Sequence, residues 1–301
     1  MDSERYLNDE PTPGRRAGEN GGWPHQGGAP NAQVGTGREE AYMSKTVVFV
    51  HGAWMSPLCW EHFSKRYEAA GYQCLAPAWP GDERPVPELQ RAPLPELAEL
   101  SVGKIVDHYE RIIRDLPEPP ILIGHSFGGL FVQMLLDRGL GAAGVAIDPG
   151  PSRGVIPGPV ALWAALPVFL SPFSWRRTVR MSRKSFAWGF AQDLSPAEQH
   201  AAYDRYVVPT PGRIYYQAAL GIGTRVNYAN SDRAPLLLTA GEKDRTAETR
   251  MVRSAYRKYQ RSSAVTAFKV FPGRTHWLIA SSGWEEVADY AINWAREHAR
   301  R

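Results

Sequence analysis

The chain has 301 residues, of which 43% are hydrophobic, 22% charged and 11% aromatic. This composition is typical of a globular protein and leaves room for one large α/β domain. The net charge is only +4. A surplus of this size does not indicate that nucleic acid is the main partner.

Residues 1–42 differ from the rest of the chain. Twelve of them are Gly or Pro and no apolar periodicity runs through them, so they are predicted to form a disordered N-terminal tail.

Residues 1–42 also lack the apolar run of a secretory signal. The whole chain contains only two cysteines, Cys59 and Cys74. Two cysteines cannot form a disulfide scaffold, and they fit a reducing compartment. A cytoplasmic location is predicted from the absence of an export signal alone. The longest apolar stretch, near residues 159–170, is shorter than the ~20 residues of a membrane span, so no transmembrane segment is expected.

Short apolar strands alternate with helices from residue 46 onward. The clearest helix covers residues 101–116, where Ile105, Tyr109 and Ile113 recur at helical spacing. The remaining predicted elements up to residue 150 are strands at 46–50, 72–76, 121–123 and 144–147 and helices at 59–70 and about 130–136. Residues 43–150 are therefore predicted to form the first part of an α/β core.

The alternation stops between about residues 151 and 230, which contain many aromatic residues, several prolines and no convincing strand. It returns with strands at 235–240 and 265–271 and helices at about 248–259 and 284–298. The predicted fold is α/β, with a mostly parallel central sheet flanked by helices. Residues 151–230 are predicted to form an inserted helical cap, and residues 231–301 the second part of the core.

A predicted strand-to-helix turn carries the sequence Gly124-His125-Ser126-Phe127-Gly128. A serine on such a sharp turn has a strained backbone and an exposed hydroxyl, and the residues two before and two after it must be small. The two flanking glycines meet this requirement. Ser126 is therefore predicted to be a catalytic nucleophile.

A serine hydroxyl needs a base, and the base needs an orienting acid. His276 follows the last predicted strand, in a loop that could carry its imidazole over Ser126, and it is the predicted base. Asp244 follows the preceding strand and is the predicted acid, because the carboxyl ends of parallel strands meet at one edge of a sheet. Asp148, which ends the strand at 144–147, is the main rival. Glu242 and Glu248 are weaker rivals for the same role.

Attack on a carbonyl creates an oxyanion, which needs backbone donors already in place. The N–H of Phe127, directly after the nucleophile, is one predicted donor. The other is predicted to come from the sequence HGAW after the first strand, with the Ala53 N–H as first choice and that of Trp54 as the alternative.

The sequence resembles α/β-hydrolase fold enzymes over about residues 45–301. The resemblance rests on five features in order: HGAW, GHSFGG, GEKD, PGRTHW and the C-terminal GWEEVADYAINWA. It implies Ser126 as nucleophile, His276 as base, Asp244 as acid, and Ala53 and Phe127 as oxyanion donors, but not the substrate. Haloalkane dehalogenases and epoxide hydrolases carry a carboxylate at the position of Ser126, so those activities are not expected.

The predicted function is a cofactor-independent serine esterase that cleaves a small carboxylic ester, a lactone or a related acyl compound. Trp54, His125 and Trp277, which adjoin the predicted catalytic residues in the chain, are the predicted substrate-binding residues. No metal site is predicted, because the histidines lack paired ligand spacing and the cysteines are not in a CxxC pattern. Aromatic residues of 151–230 could line an apolar pocket or simply pack the cap onto the core.

Several alternatives remain open. The same triad could serve a carbon–carbon bond hydrolase, a lyase similar to plant hydroxynitrile lyases, or a perhydrolase. The protein could also be a non-catalytic ligand-binding homologue. A basic cluster could attract an anionic substrate or an acidic membrane surface, or form a solvated face. It consists of Arg176, Arg177, Arg180, Arg183 and Lys184.

Overall fold

The computed structural model describes residues 44–300. The predicted tail at residues 1–42 lies outside the described residues. The strands are β1 (Thr46–Val50), β2 (Gln73–Leu75), β3 (Ile121–His125), β4 (Ala143–Ile147), β5 (Thr178–Val179), β6 (Thr210–Pro211), β7 (Leu236–Gly241) and β8 (Thr266–Phe271). The helices are α1 (Glu61–Ala69), α2 (Val86–Arg91), α3 (Pro95–Ala98), α4 (Val102–Arg114), α5 (Phe127–Asp137), α6 (Pro159–Leu170), α7 (Arg183–Gly189), α8 (Pro196–Tyr206), α9 (Arg213–Leu220), α10 (Thr249–Tyr259) and α11 (Trp284–His298). Two 3₁₀ turns cover Pro57–Trp60 and Ser174–Arg176.

Six strands form one sheet in the order β2-β1-β3-β4-β7-β8, and every neighbouring pair is parallel. The residues of β1, β3, β4 and β7 are buried throughout, as expected for short apolar strands covered on both faces. Because the strands point the same way, the loops that follow β3, β4, β7 and β8 lie at one edge of the sheet.

Helices cover this sheet. α5 packs on β1, β3 and β4 and against α4, whereas α10 packs on β7 and β8. α11 packs on β4, β7 and α1, and α1 packs on β2. The strong apolar stripe of α4, with Ile105, Val106 and Tyr109 fully buried, explains why its periodicity was visible in the sequence.

The predicted core elements are confirmed, with boundaries that move by a few residues. Helices α2 and α3 were not predicted from the sequence; both are short and have a proline in their first turn. Between β4 and β7 the chain forms α6 to α9, and it also forms the antiparallel pair β5–β6. The prediction of no strand there was wrong, because two-residue strands are too short to show a periodicity of two. Among the described residues, no helix combines the length and apolar character needed to cross a membrane.

Candidate active site

Ser126 occupies a strained turn between β3 and α5. Its backbone has φ 57° and ψ −122°, a conformation that non-glycine residues rarely adopt. Its N–H donates to the carbonyl of Ile147 at 2.9 Å, and its carbonyl accepts from the N–H of Gly150 at 2.8 Å. These bonds to β4 and the loop after it hold the turn in place.

Gly124 and Gly128 allow strand and helix to approach closely at this turn. A Cβ on Gly124 would overlap the carbonyl of Gly128, and a Cβ on Gly128 would overlap the carbonyl of Val50. Only glycine fits at either position without movement of the backbone.

His276 and Asp244 are brought together by the loops after β8 and β7. His276 Nδ1 lies 2.6 Å from Oδ2 of Asp244, and both side chains are fully buried. The other carboxylate oxygen accepts from the N–H groups of Thr246 at 2.6 Å and Ala247 at 2.8 Å. Burial alone would raise the pKa of Asp244, but the charge and hydrogen bond of His276, with bonds from Asp148 and the Ala247 N–H, hold this pKa below its ordinary value.

Within residues 44–300, His276 Nε2 has no hydrogen-bond partner. Since its Nδ1 is engaged by a carboxylate, this second ring nitrogen is the one available to exchange a proton with a ligand or a neighbouring hydroxyl.

Asp148 is also buried at this edge but holds a different position. Its Oδ2 is 3.9 Å from His276 Nδ1, and its Oδ1 accepts from the N–H of Gly241 at 2.9 Å. No N–H or hydroxyl of the described residues reaches its Oδ2. Burial first, and then the charge of Asp244, raises the pKa of Asp148 well above its ordinary value. The protonated form of Asp148 is therefore favoured, whereas the ionised form of Asp244 is favoured.

The two weaker rivals for the acid are bonded elsewhere. Glu242 is exposed and accepts from the N–H of Gly273 at 2.8 Å. Glu248 pairs with Arg250 at 2.9 Å and accepts from the N–H of Ala161 at 3.1 Å.

His125 and Trp277, two of the predicted substrate-binding residues, lie behind His276 and do not line the cavity described below. His125 Nε2 donates to the carbonyl of His276 at 2.9 Å, and the two rings are 4.5 Å apart. Burial, with the neighbouring charge of His276, lowers the pKa of His125 well below its ordinary value. Trp277 is buried against Phe186 and Tyr206. His125 thus contacts His276 directly, whereas Trp277 packs the next residue of the same loop into the interior.

The HGAW sequence forms a loop against the turn that carries Ser126. A Cβ on Gly52 would lie 2.8 Å from Ser126 Cβ, so glycine is required for this close approach. The N–H of Phe127 is the first of α5 and has no partner within the helix. Trp54 and Phe127 line the cavity beside Ser126, whereas Ala53 does not.

A cavity of about 260 Å³ opens above Ser126. Its wall is almost entirely apolar and holds no charged residue. Of the aromatic residues of 151–230, Phe169, Phe190 and Tyr215 line it, while others pack in the interior or face solvent. Small or flexible apolar residues complete the wall, and nothing in their sequence pattern indicated this role. They include Ala161, Ala164, Ala165, Met181, Ala218 and Met251.

His125, Asp148 and His276 offer nitrogen and oxygen atoms that lie within 4.8 Å of one another. His276 Nδ1 and His125 Nε2 are already engaged by Asp244 and by a backbone carbonyl. The cluster therefore fits a hydrogen-bond network better than a metal centre.

Comparison with known proteins agrees with this architecture. A model of the Alpha/beta hydrolase family matches residues 47–290. A search of curated proteins gives no match.

Many solved structures share the fold. A monoacylglycerol lipase from Paleococcus ferrophilus matches with a TM-score of 0.60 and 19% identity, over 84% of this chain and 95% of the other. A methylesterase from Arabidopsis matches with a TM-score of 0.60 and 17% identity, over 83% and 98%. Tomato methylketone synthase I, in complex with 2-tridecanone, matches with a TM-score of 0.64 and 17% identity, over 85% and 100%. Likeness at these identities shows the fold alone.

Proposed function

The chain belongs to the alpha/beta hydrolase family, and on this premise we propose that it is a serine hydrolase acting on carboxylic esters or closely related acyl compounds. It works through an acyl-enzyme and needs no cofactor. Residues 151–230 act as a cap that forms much of the wall of the acyl or alcohol pocket.

The observation that carries the proposal is the buried pair of His276 and Asp244, at 2.6 Å, on the sheet edge where Ser126 sits in its strained turn. In the proposed reaction Ser126 Oγ attacks the carbonyl carbon of the substrate while His276 Nε2 takes its proton. Asp244 keeps the proton of the neutral imidazole on Nδ1, and stabilises the imidazolium that forms. The same proton then passes from Nε2 to the leaving alcohol.

Water completes the cycle. His276 Nε2 removes a proton from the water as it attacks the acyl carbon, and the serine hydroxyl is restored when the tetrahedral intermediate collapses. The oxyanion of both tetrahedral intermediates is bound by the N–H of Phe127 together with that of Ala53, the alternative being that of Trp54.

The apolar cavity supports an uncharged substrate. A wall without charged side chains offers no ion-pair partner to a substrate that carries an ionised acid group. The same wall favours burial of an aliphatic or aromatic group of the substrate. Two of the similar structures are an esterase and a lipase by name, which agrees with an ester as the substrate class.

Labelling with a fluorophosphonate probe tests the nucleophile directly. The full-length protein should be labelled, and Ser126→Ala should abolish labelling. The matched control is Ser185→Ala, which removes the other serine hydroxyl that lines the cavity and should keep labelling. Labelling that survives Ser126→Ala would contradict the proposal.

Turnover tests the activity itself. p-Nitrophenyl butyrate should give a burst of p-nitrophenol followed by steady turnover, and Ser126→Ala should lower kcat by about 10⁶ or to background. A protein that binds ligands in this cavity but shows neither burst nor labelling would be a non-catalytic homologue.

A further inference from the structure

Helix α6 and the turn after it are far more apolar on their outer surface than the rest of the molecule. Residues 154–175 contain no charged residue. Of the eleven large apolar side chains that are exposed among the described residues, seven lie within residues 156–175. A helix that is apolar all round is normally buried, so among residues 44–300 this surface lacks a covering partner.

The exposed side chains are large and include aromatic rings. Trp163 is 64% exposed, Leu170 71% and Phe173 65%. Phe173 is a non-glycine residue with φ 56°, and its ring packs on Trp175 with ring centroids 5.6 Å apart. We call Ile156, Leu162, Trp163, Leu170, Phe173 and Trp175 the α6 surface.

The α6 surface adjoins the cavity over Ser126. Ile156 and Leu162 belong to the α6 surface and also to the cavity wall, since they line the cavity and are 82% and 51% exposed. Trp175 contacts Tyr216, which contacts the cavity residue Phe169. Whatever covers the α6 surface therefore lies against the mouth of the cavity.

Cations border this surface directly. Arg176 and Arg177 follow Trp175, are exposed, and pair with no carboxylate of residues 44–300. Residues 151–230 contain nine basic and three acidic residues, a net charge of +6, whereas the whole chain carries +4. Neither arginine lines the cavity, so these cations do not serve a small ligand inside it.

We propose that the α6 surface, with Arg176 and Arg177, docks the protein onto an anionic phospholipid bilayer and turns the mouth of the cavity toward the lipid. Exposed Trp, Phe and Leu beside arginines match an interface with acyl chains next to anionic headgroups. A second copy of the chain is a poorer occupant, because a two-fold contact would bring two basic faces together. At twelve residues, α6 is too short to cross the bilayer, so the contact is peripheral.

Co-sedimentation with vesicles tests the proposal on the full-length chain. Both the wild type and Ser126→Ala should bind vesicles of phosphatidylcholine mixed with phosphatidylglycerol, and bind much less to phosphatidylcholine alone. Binding should weaken as ionic strength rises. Because Ser126→Ala is used, the result does not depend on hydrolysis. If the wild type shows no ester turnover but still binds vesicles, the proposed function fails and the docking proposal stands.

Two double variants address the two parts of the surface. Arg176→Gln with Arg177→Gln should lower the partition coefficient for anionic vesicles by about twenty-five-fold, since each arginine near such a surface contributes about fivefold. Trp163→Ala with Phe173→Ala should lower it by about tenfold or more. None of these residues lines the cavity, so hydrolysis of a dissolved short ester should be unchanged.

Matched controls lie on other elements. Lys65→Gln with Arg257→Gln removes the same charge from exposed positions that pair with no carboxylate of residues 44–300. Val265→Ala with Tyr290→Ala removes exposed apolar groups. Both should bind vesicles like the wild type. The proposal is overturned if the wild type does not bind anionic vesicles, or if the controls lose as much binding as the α6 variants. It is also overturned if the wild type is a dimer that Trp163→Ala with Phe173→Ala converts to a monomer, because a second copy is then the occupant.

Discussion

Asp244 Oδ2 and His276 Nδ1 lie 2.6 Å apart in a fully buried pair whose two loops are tied to each other. The N–H of Lys243 donates to the carbonyl of Arg274 at 2.8 Å, and the N–H of Gly273 donates to Glu242 at 2.8 Å. The imidazole is therefore oriented by the protein before any ligand arrives, which is the preorganisation that general base catalysis requires.

Asp244→Asn tests this orientation. The amide favours the wrong imidazole tautomer, so we expect kcat/KM for p-nitrophenyl butyrate to fall by about 10³–10⁴ with a small change in KM. Asp148→Asn should stay within about tenfold of the wild type, because Asp148 is 3.9 Å from the same nitrogen and its raised pKa already favours the uncharged form that an amide mimics. A larger loss in Asp148→Asn than in Asp244→Asn would reassign the acid.

The raised pKa of Asp148 predicts a pH-dependent stability. The folded state keeps a proton that the unfolded chain loses above pH ~4, so stability falls as pH rises by about 1.4 kcal/mol per unit until the folded pKa is reached. Asp148→Asn removes this loss. The variant should therefore gain in Tm relative to the wild type from pH 5 to pH 7, measured by circular dichroism.

Taking the Tm difference between Asp148→Asn and the wild type at each pH removes the contribution of the other titratable groups. His51, whose pKa burial lowers to about 4, and His125 contribute equally to both proteins. A constant Tm difference over this pH range would contradict the raised pKa of Asp148.

The sequence predicted the parallel sheet and the strand-to-helix turn that carries Ser126, and the reason is physical. A serine between two glycines on a strand-to-helix turn is tightly constrained, and a parallel sheet gathers the loops after its strands at one edge. The sequence favoured Asp244 as the acid but left Asp148 as a rival, because both follow strands at that edge. In the structure the loop after β7 supplies two N–H donors to Asp244, and this backbone conformation has no signature in the sequence.

Residues 151–230 were the least predictable part. Their aromatic residues were visible, but only tertiary packing decides that Phe169 faces the cavity while Trp163 faces outward. The alanines of α6 and α9 that shape the cavity carry no pattern that separates them from ordinary helix residues.

The close approach of strand and helix at the Ser126 turn makes a strong stability prediction. Gly128→Ala would push a methyl group into the carbonyl of Val50, so we expect a loss of about 3 kcal/mol or more in the free energy of unfolding. The control is Gly103→Ala in α4, where the nearest atom would be 3.9 Å away. That variant should be more stable than the wild type by up to about 1 kcal/mol. Urea denaturation measures the free energy of unfolding of both variants. A small loss in Gly128→Ala would contradict the close approach of helix and strand at this turn.

The cavity predicts which acyl chains the protein accepts. Ala164 lines the cavity from α6, and its Cβ faces Gly189 of α7. A phenyl ring at position 164 would fill part of the 260 Å³. Ala164→Phe should therefore lower kcat/KM for p-nitrophenyl octanoate by about tenfold to a hundredfold more than for the acetate. Val160→Phe adds the same ring on the same helix at a position that does not line the cavity, and should leave the ratio unchanged. An equal loss on both esters in Ala164→Phe would mean that the acyl chain lies elsewhere.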